Sequence, residues 1–85
     1  MEDSVYLILN LCRVLAYLRD DKVLSKSQGG EWGLRYLSPK YHPTIRNAME
    51  AYGGLGDFTE KAMLQEFAKD MLENIRGYMN EELEG

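Results

Sequence analysis

The amino-acid sequence predicts an all-α domain, a compact up-down-like bundle of four helices with short connections. Apolar residues recur at spacings of three and four along the chain, and no segment alternates as a β-strand does. Pro and Gly fall mainly between these periodic segments. A chain of 85 residues has room for one domain only, so residues 1–85 are predicted to form a single helical domain.

The first helix is predicted to run from about Asp3 to Arg19. Asp3 and Ser4 are favoured residues at a helix N-terminus, and the polar sequence 20–22 ends the periodic segment. Apolar residues occur on almost every side of this helix. Other elements or a partner are therefore expected to cover most of it.

Two shorter helices are predicted to follow. The second runs from about Ser27, its expected N-cap, to Leu37, because Ser38-Pro39 stops a helix. The third starts near Pro43, a residue favoured in the first turn, and ends at the glycine-rich sequence 53–56. This Gly-Gly-Leu-Gly sequence is interpreted as a helix-ending turn rather than a phosphate-binding loop.

The fourth helix is predicted to be the longest, from about Phe58 to Leu83. Asp57 and Glu60 have the spacing of a capping box. Its apolar stripe, interpreted as core packing, consists of Met63, Leu64, Phe67, Ala68, Met71, Leu72, Ile75 and Met79.

A polar and aromatic stripe interrupts the apolar first helix. Asp3, Tyr6, Asn10, Arg13 and Tyr17 recur at spacings of three and four. A charge in so apolar a helix needs a partner or access to water. In a structural hypothesis, Arg13 pairs with an acid elsewhere and Asn10 bonds a backbone group. In a functional hypothesis, the stripe lines a cleft in which an anion meets Arg13.

Two lysines follow this helix, Lys22 and Lys26, and they acquire a function only if the fold brings them near Arg13. Arginine and lysine together could then hold a polyphosphate, the arginine through its planar fork and the lysine as a point charge.

Composition and charge exclude several classes of function. The net charge of -4 argues against nucleic acid as a main partner, which would need a basic face. The single cysteine, Cys12, cannot form an internal disulfide and is expected to be buried. Acidic Glu2 and Asp3 argue against a signal peptide, and the apolar run 5–18 is too short to cross a membrane. We therefore expect a cytoplasmic protein.

Motifs for catalysis are missing from the sequence. It contains neither a P-loop nor a GxGxxG motif. The one histidine, His42, has no cluster of metal-ligating residues around it and no evident nucleophile to activate. The chain by itself is predicted to have no catalytic residues and no metal site.

Four short motifs identify a family resemblance. They are LCR at 11–13, KVLSK at 22–26, EWGLRYL at 31–37 and YHPTIRNAMEAY at 41–52. In their order and spacing they resemble the helical C-terminal domain of the streptomycin/spectinomycin adenylyltransferases, which are aminoglycoside nucleotidyltransferases linked to antibiotic resistance. These enzymes transfer AMP from MgATP to a hydroxyl of the drug. Their N-terminal domain carries out catalysis, and the C-terminal domain closes over the cleft.

The resemblance also implies site residues. The family's ATP-contacting arginine and lysine fall on Arg13 and Lys26, and an acid that faces the antibiotic falls on Asp3. Ser25 stands where the family often has proline. A family tryptophan falls on Trp32, which we interpret as a core residue. ATP and Mg²⁺ are then cofactors of the complete enzyme only.

An alternative belongs to another class, a stand-alone helical module for interaction or oligomerisation. In that case the apolar first helix pairs with its own copy in a homodimer, whereas in a transferase it forms the wall of a cleft and leaves Arg13 accessible to solvent.

Overall fold

Four α-helices and two short 3₁₀ turns account for most of the computed structural model, which describes the backbone of residues 3–84 and the side chains of residues 3–81. The helices are α1 (Asp3–Asp20), α2 (Lys26–Tyr36), α3 (His42–Tyr52) and α4 (Leu64–Glu84). The 3₁₀ turns are Pro39–Tyr41 and Lys61–Met63. Residues 3–84 contain no β-strand, so the predicted all-α class and the number of helices are confirmed.

Helix α1 is the centre of the fold because it packs against each of the other three helices. Seven of its side chains are buried: Val5, Ile8, Leu9, Leu11, Cys12, Leu15 and Ala16. The other helices and the connections complete the core with Trp32, Tyr41, Ile45, Ala48, Phe58, Phe67 and Met71. The expectation that neighbours cover most of α1 is confirmed, and a single face remains open to solvent.

The predicted burial of Cys12 is also confirmed. Its side chain has no solvent-exposed surface. Burial raises the pKa of the thiol to about 12, since the thiolate cannot be hydrated there. This cysteine is therefore a packing residue rather than a reactive one.

The N-cap of α2 differs from the prediction. Ser25 is the cap, rather than Ser27, and the helix begins at Lys26. The Gln28 amide donates to Ser25 Oγ at 3.1 Å, and Gln28 Oε1 accepts from the Ser25 amide at 2.9 Å. Ser25 is the cap because a glutamine lies three residues after it. Each of the two side chains accepts a hydrogen bond from the backbone N–H of the other residue.

The end of α3 follows the prediction. Gly54 has a φ of +79°, its amide donates to Ala51 O at 3.2 Å, and the Leu55 amide donates to Glu50 O at 2.9 Å. This is a Schellman motif, in which glycine adopts the left-handed conformation at low cost. The sequence 53–56 is thus a helix-ending turn.

The start of α4 was predicted wrongly. Residues 57–60 are not helical, and α4 begins at Leu64, six residues after Phe58. Asn47 in α3 explains the difference: its Oδ1 accepts from the Thr59 amide at 2.7 Å and the Glu60 amide at 3.0 Å, and its Nδ2 donates to Asp57 O at 3.1 Å. The Asn47 side chain therefore takes the Glu60 N–H group that a capping box would have used, and it also satisfies Thr59 N–H and Asp57 O.

The apolar stripe of α4 is only partly core. Phe67 and Met71 are buried, and Tyr41 packs on Phe67 with ring centroids 5.2 Å apart. Leu72 and Met79, in contrast, are 50% and 52% exposed, so the prediction of core packing is wrong for these two. Within residues 3–84, none of the helices has the length and the apolar character needed to cross a membrane.

Candidate functional site

The polar stripe of α1 lies along the solvent-facing side of the helix. Asp3, Tyr6, Asn10 and Tyr17 are exposed, and Arg13 is partly buried. The other three helices occupy the opposite side of α1, where the apolar side chains are buried. The periodicity therefore identified a single surface, and its groups are accessible from one direction.

Arg13 is held by two neutral oxygen atoms. Its Nε donates to the Leu24 carbonyl at 2.7 Å, and its Nη1 donates to Asn10 Oδ1 at 3.0 Å. None of the salt bridges among the described side chains includes Arg13. Among the described residues, Arg13 has no acidic partner, and the Asn10 side chain bonds Arg13 rather than a backbone group, unlike in the structural hypothesis. Two neutral oxygen atoms hold the guanidinium in position.

Lys26 lies at the junction where α2 begins beside α1. Its Nζ is 5.4 Å from the centroid of the Tyr6 ring, a cation–π contact. One turn further along α2 is Gly29, which has no side chain. A Cβ added there would lie 2.5 Å from Arg13 Cγ, so the backbone of α2 contacts the arginine directly. The fold thus brings both predicted cations to the α1–α2 junction.

A groove of about 350 Å³ continues from this junction between α1 and the loop 21–25. It is lined by Asn10, Arg13, Val14, Tyr17, Leu18, Lys22, Val23 and Leu24. Val23 is 86% exposed and Tyr17 55% exposed. Cationic and apolar groups therefore stand side by side on an open surface.

Asp3 lies on the same face but away from Arg13. It is exposed in the first turn of α1, ten residues before Arg13. At 1.5 Å per residue the two Cα atoms are separated by about 15 Å along the helix axis. Asp3 and Arg13 therefore lie nearly three turns apart on one surface, and Lys26 reaches this surface between them, at Tyr6.

Two neighbours of this site were missed from the sequence. Tyr52 packs edge-on against Tyr6 with ring centroids 6.3 Å apart, and the Leu24 carbonyl anchors Arg13. The Asn10–Arg13 bond joins residues three apart on a helix, so their spacing is a signal that could have predicted it. The other two contacts depend on how α3 and the loop pack on α1, for which the sequence carries no local signal.

A second groove, of about 570 Å³, lies between the C-terminal ends of α1 and α2 and helix α4. Trp32 forms part of its wall and is only 5% exposed, which confirms the interpretation as a core residue. Its Nε1 donates to Asp20 Oδ2 at 2.8 Å, and the Arg19 guanidinium lies 5.7 Å from the Trp32 ring centroid. These contacts satisfy the polar groups at this end of the molecule.

The remaining candidate, His42, has a structural role. Its Nε2 is 3.1 Å from the Leu37 carbonyl oxygen. Among the described residues, no three His, Cys, Asp or Glu side chains are arranged to bind a metal ion.

Comparison with known proteins agrees with the motifs. The family model described as aminoglycoside adenylyltransferase, C-terminal domain, matches residues 1–80. No curated protein and no solved structure matches the chain. The matched region includes α1, α2, α3 and most of α4, and with them the α1–α2 junction. The chain therefore belongs to the family of aminoglycoside adenylyltransferase C-terminal domains.

Proposed function

We propose that this chain closes the cleft for ATP and antibiotic in an aminoglycoside O-adenylyltransferase. In this role it is inactive by itself, and an N-terminal nucleotidyltransferase domain supplies the catalytic groups. Family membership supports the existence of such a partner domain. We place this enzyme in the cytoplasm, where ATP is available, with streptomycin and spectinomycin as the candidate acceptors and antibiotic resistance as its biological effect.

The observation that carries this proposal is the state of Arg13. Buried or half-buried arginines with a structural role are usually paired with carboxylates. Here both partners are neutral oxygen atoms, so no carboxylate of the described residues pairs with the Arg13 charge, and Lys26 lies at the same α1–α2 junction. An anionic ligand is the group that such a pair of cations attracts most strongly.

Arg13 and Lys26 fit the triphosphate of ATP. The Nη2 group of Arg13 is not used in any hydrogen bond to the described residues and can donate to phosphate oxygens. Lys26 adds an ammonium group from the first turn of α2, where its Nζ contacts the Tyr6 ring. MgATP supplies the AMP group that is transferred. The chain's own residues hold the phosphates in place and stabilise their charge.

Asp3 fits the other substrate. Its exposed carboxylate lies about 15 Å from Arg13 along α1, far enough to contact an acceptor molecule rather than the triphosphate. Aminoglycosides carry amino or guanidino cations, which a carboxylate attracts. Asp3 thus orients the acceptor at the start of α1, while Arg13, about three turns further along, holds the triphosphate together with Lys26.

The groove beside Arg13 supports docking of the catalytic domain. Val14, Tyr17 and Val23 expose apolar surface next to the cations. A partner domain that covers these side chains would exclude water from the cleft and strengthen the electrostatic contacts inside it.

The test measures AMP transfer from MgATP to streptomycin and to spectinomycin, with this chain joined to an N-terminal nucleotidyltransferase domain of the same family. Arg13→Ala is expected to raise the KM for ATP about tenfold or more, since a charge-assisted hydrogen bond to phosphate is lost. Asp3→Asn should raise the KM for the antibiotic and leave that for ATP unchanged.

The control is Arg76→Ala, which removes an exposed arginine from α4. It should change neither KM. If Arg13→Ala lowers the melting temperature and leaves the KM for ATP unchanged, Arg13 is a structural residue and the proposal is wrong.

The exposed apolar residues of α1 also support a second candidate, a module that self-associates. Leu7 and Val14 are 42% and 41% exposed, on the same side of the helix as Tyr17. A homodimer would cover them in the absence of a catalytic domain. Light scattering of the 85-residue chain at increasing concentration distinguishes the two, because a strictly monomeric mass excludes the homodimer.

A further inference from the structure

At the α1–α2 junction, Arg13 also contacts the backbone on both sides of Lys26. The loop 21–25 that connects the helices ends at Ser25, and Leu24, directly before this cap, accepts the hydrogen bond from Arg13 Nε. Gly29, one turn into α2, packs against Arg13 Cγ. The arginine therefore contacts the backbone both two residues before Lys26 and three residues after it.

We infer that Arg13 positions Lys26 and that Asn10 positions Arg13, so the two cations form one preassembled anion-binding unit. This inference rests on the proposed function, since it assigns a triphosphate as the anion. Asn10 and Leu24 act as positioning groups, and neither contacts the ligand. Arg13 anchors α2 with its Nε and leaves its Nη2 group for phosphate oxygens.

Neutral acceptors are essential to this arrangement. An aspartate at position 10 would keep an acceptor oxygen in place, because it has the same shape as asparagine. It would also cancel much of the positive charge that attracts a triphosphate. Asn10→Asp therefore changes the charge beside Arg13 while it keeps the hydrogen-bond acceptor. If Asn10 had a purely structural role, this substitution would not weaken anion binding.

The anchor is tested first, without a ligand. The Gln28 amide donates to Ser25 Oγ and the Gly29 amide donates to Ser25 O at 2.8 Å, so both report on the start of α2. Arg13→Lys keeps the charge but lacks an Nε–H group at the position that reaches Leu24 O. Amide hydrogen exchange at these two sites is expected to accelerate about tenfold. Arg76→Lys, the matched control on α4, should have no effect, and unchanged exchange in Arg13→Lys overturns the anchor.

The charge requirement is tested by titration of the 85-residue chain with inorganic triphosphate, followed by NMR. Asn10→Asp is expected to raise the Kd about tenfold while the melting temperature stays the same. Asn80→Asp adds the same charge at an exposed site on α4 and should change the Kd less than about twofold, because distant surface charges are screened. Equal effects of both variants overturn the role of Asn10.

The dependence of Lys26 on Arg13 is tested by a double-mutant cycle in the same titration. If Arg13 positions Lys26, then Lys26→Ala weakens binding much less in the Arg13→Lys background than in the original chain. Additive effects overturn the inference. If the original chain does not bind triphosphate at all, the proposed function is wrong. The role of Arg13 in anchoring α2 is then decided by the hydrogen-exchange experiment, which needs no ligand.

Discussion

Two arginines on α1 face the same neighbouring helix, six residues apart, with opposite surroundings. Arg19 lies 5.7 Å from the Trp32 ring centroid and 5.2 Å from that of Tyr36, and its Nε is 3.8 Å from Asp20 Oδ1. The hydrogen bonds of the Arg13 guanidinium to described residues go to the oxygens of Leu24 and Asn10. Arg19 thus has an acidic neighbour and two aromatic rings against its guanidinium. Arg13 is oriented by neutral oxygen atoms and has no ion pair among the described residues, as the proposed role in binding an anion requires.

The largest effect is expected from filling the space beside Arg13. An alanine Cβ at position 29 would lie 2.5 Å from Arg13 Cγ and 3.3 Å from Leu9 O, so α2 must move away from α1. Gly29→Ala should lower the free energy of unfolding by about 2 kcal/mol. Gly77→Ala, in open space on α4, should raise it by about 0.5 kcal/mol. Urea unfolding of both variants measures the difference, and equal stability would show that the junction is loosely packed.

A second effect comes from the buried side of α1, where Cys12 directly precedes Arg13. The pKa of Cys12 is raised from 9.0 to about 12. Above pH 9 the unfolded chain releases the thiol proton while the folded chain keeps it, so stability falls as the pH rises towards 12. Between pH 8 and pH 10.5 the original chain should lose about 2 kcal/mol more than Cys12→Ala does. Urea unfolding at both pH values tests this, and parallel losses in the two proteins would contradict it.

The smallest effect on stability is expected from Arg19→Ala, which tests the comparison between Arg19 and Arg13 directly. Arg19→Ala removes stacking on Trp32 and a weak ion pair, and it should lower the free energy of unfolding by about 0.5 kcal/mol. It should leave the affinity for triphosphate unchanged, whereas Arg13→Ala reduces it. Thermal unfolding and triphosphate titration of the two variants measure both quantities. An equal loss of affinity in Arg19→Ala would mean that general positive charge, rather than the α1–α2 junction, attracts the anion.

Local signals in the sequence were sufficient for much of the fold. The periodicity of α1, the proline of α3 and the glycines after Tyr52 are each read within one or two helix turns, and these elements were predicted within a few residues. The prediction for the start of α4 was wrong because Asn47, ten or more residues away, binds the backbone of 57–60. A long-range hydrogen bond of this kind prevails over a local capping signal, and it cannot be predicted from the periodicity of the sequence.

The candidate site, too, has features that the sequence predicted and features that only the structure shows. The stripe from Asp3 to Tyr17 follows from helix geometry, and the family resemblance added Lys26. The structure supplied the oxygen atoms that hold Arg13, one of which belongs to a loop carbonyl. Backbone acceptors have no residue type of their own, so the sequence does not specify which of them a side chain will reach.

The connection between α3 and α4 has consequences for engineering. Asn47 fixes residues 57–60 against α3, whereas a Cβ at Gly54 or Gly56 would meet no atom within 4 Å and Leu55 is 82% exposed. A peptide tag or fluorescent label inserted at 55–56 would therefore project into solvent without shifting the register of α4. Such a label would leave the α1–α2 junction intact, because none of its residues belongs to the loop 53–60.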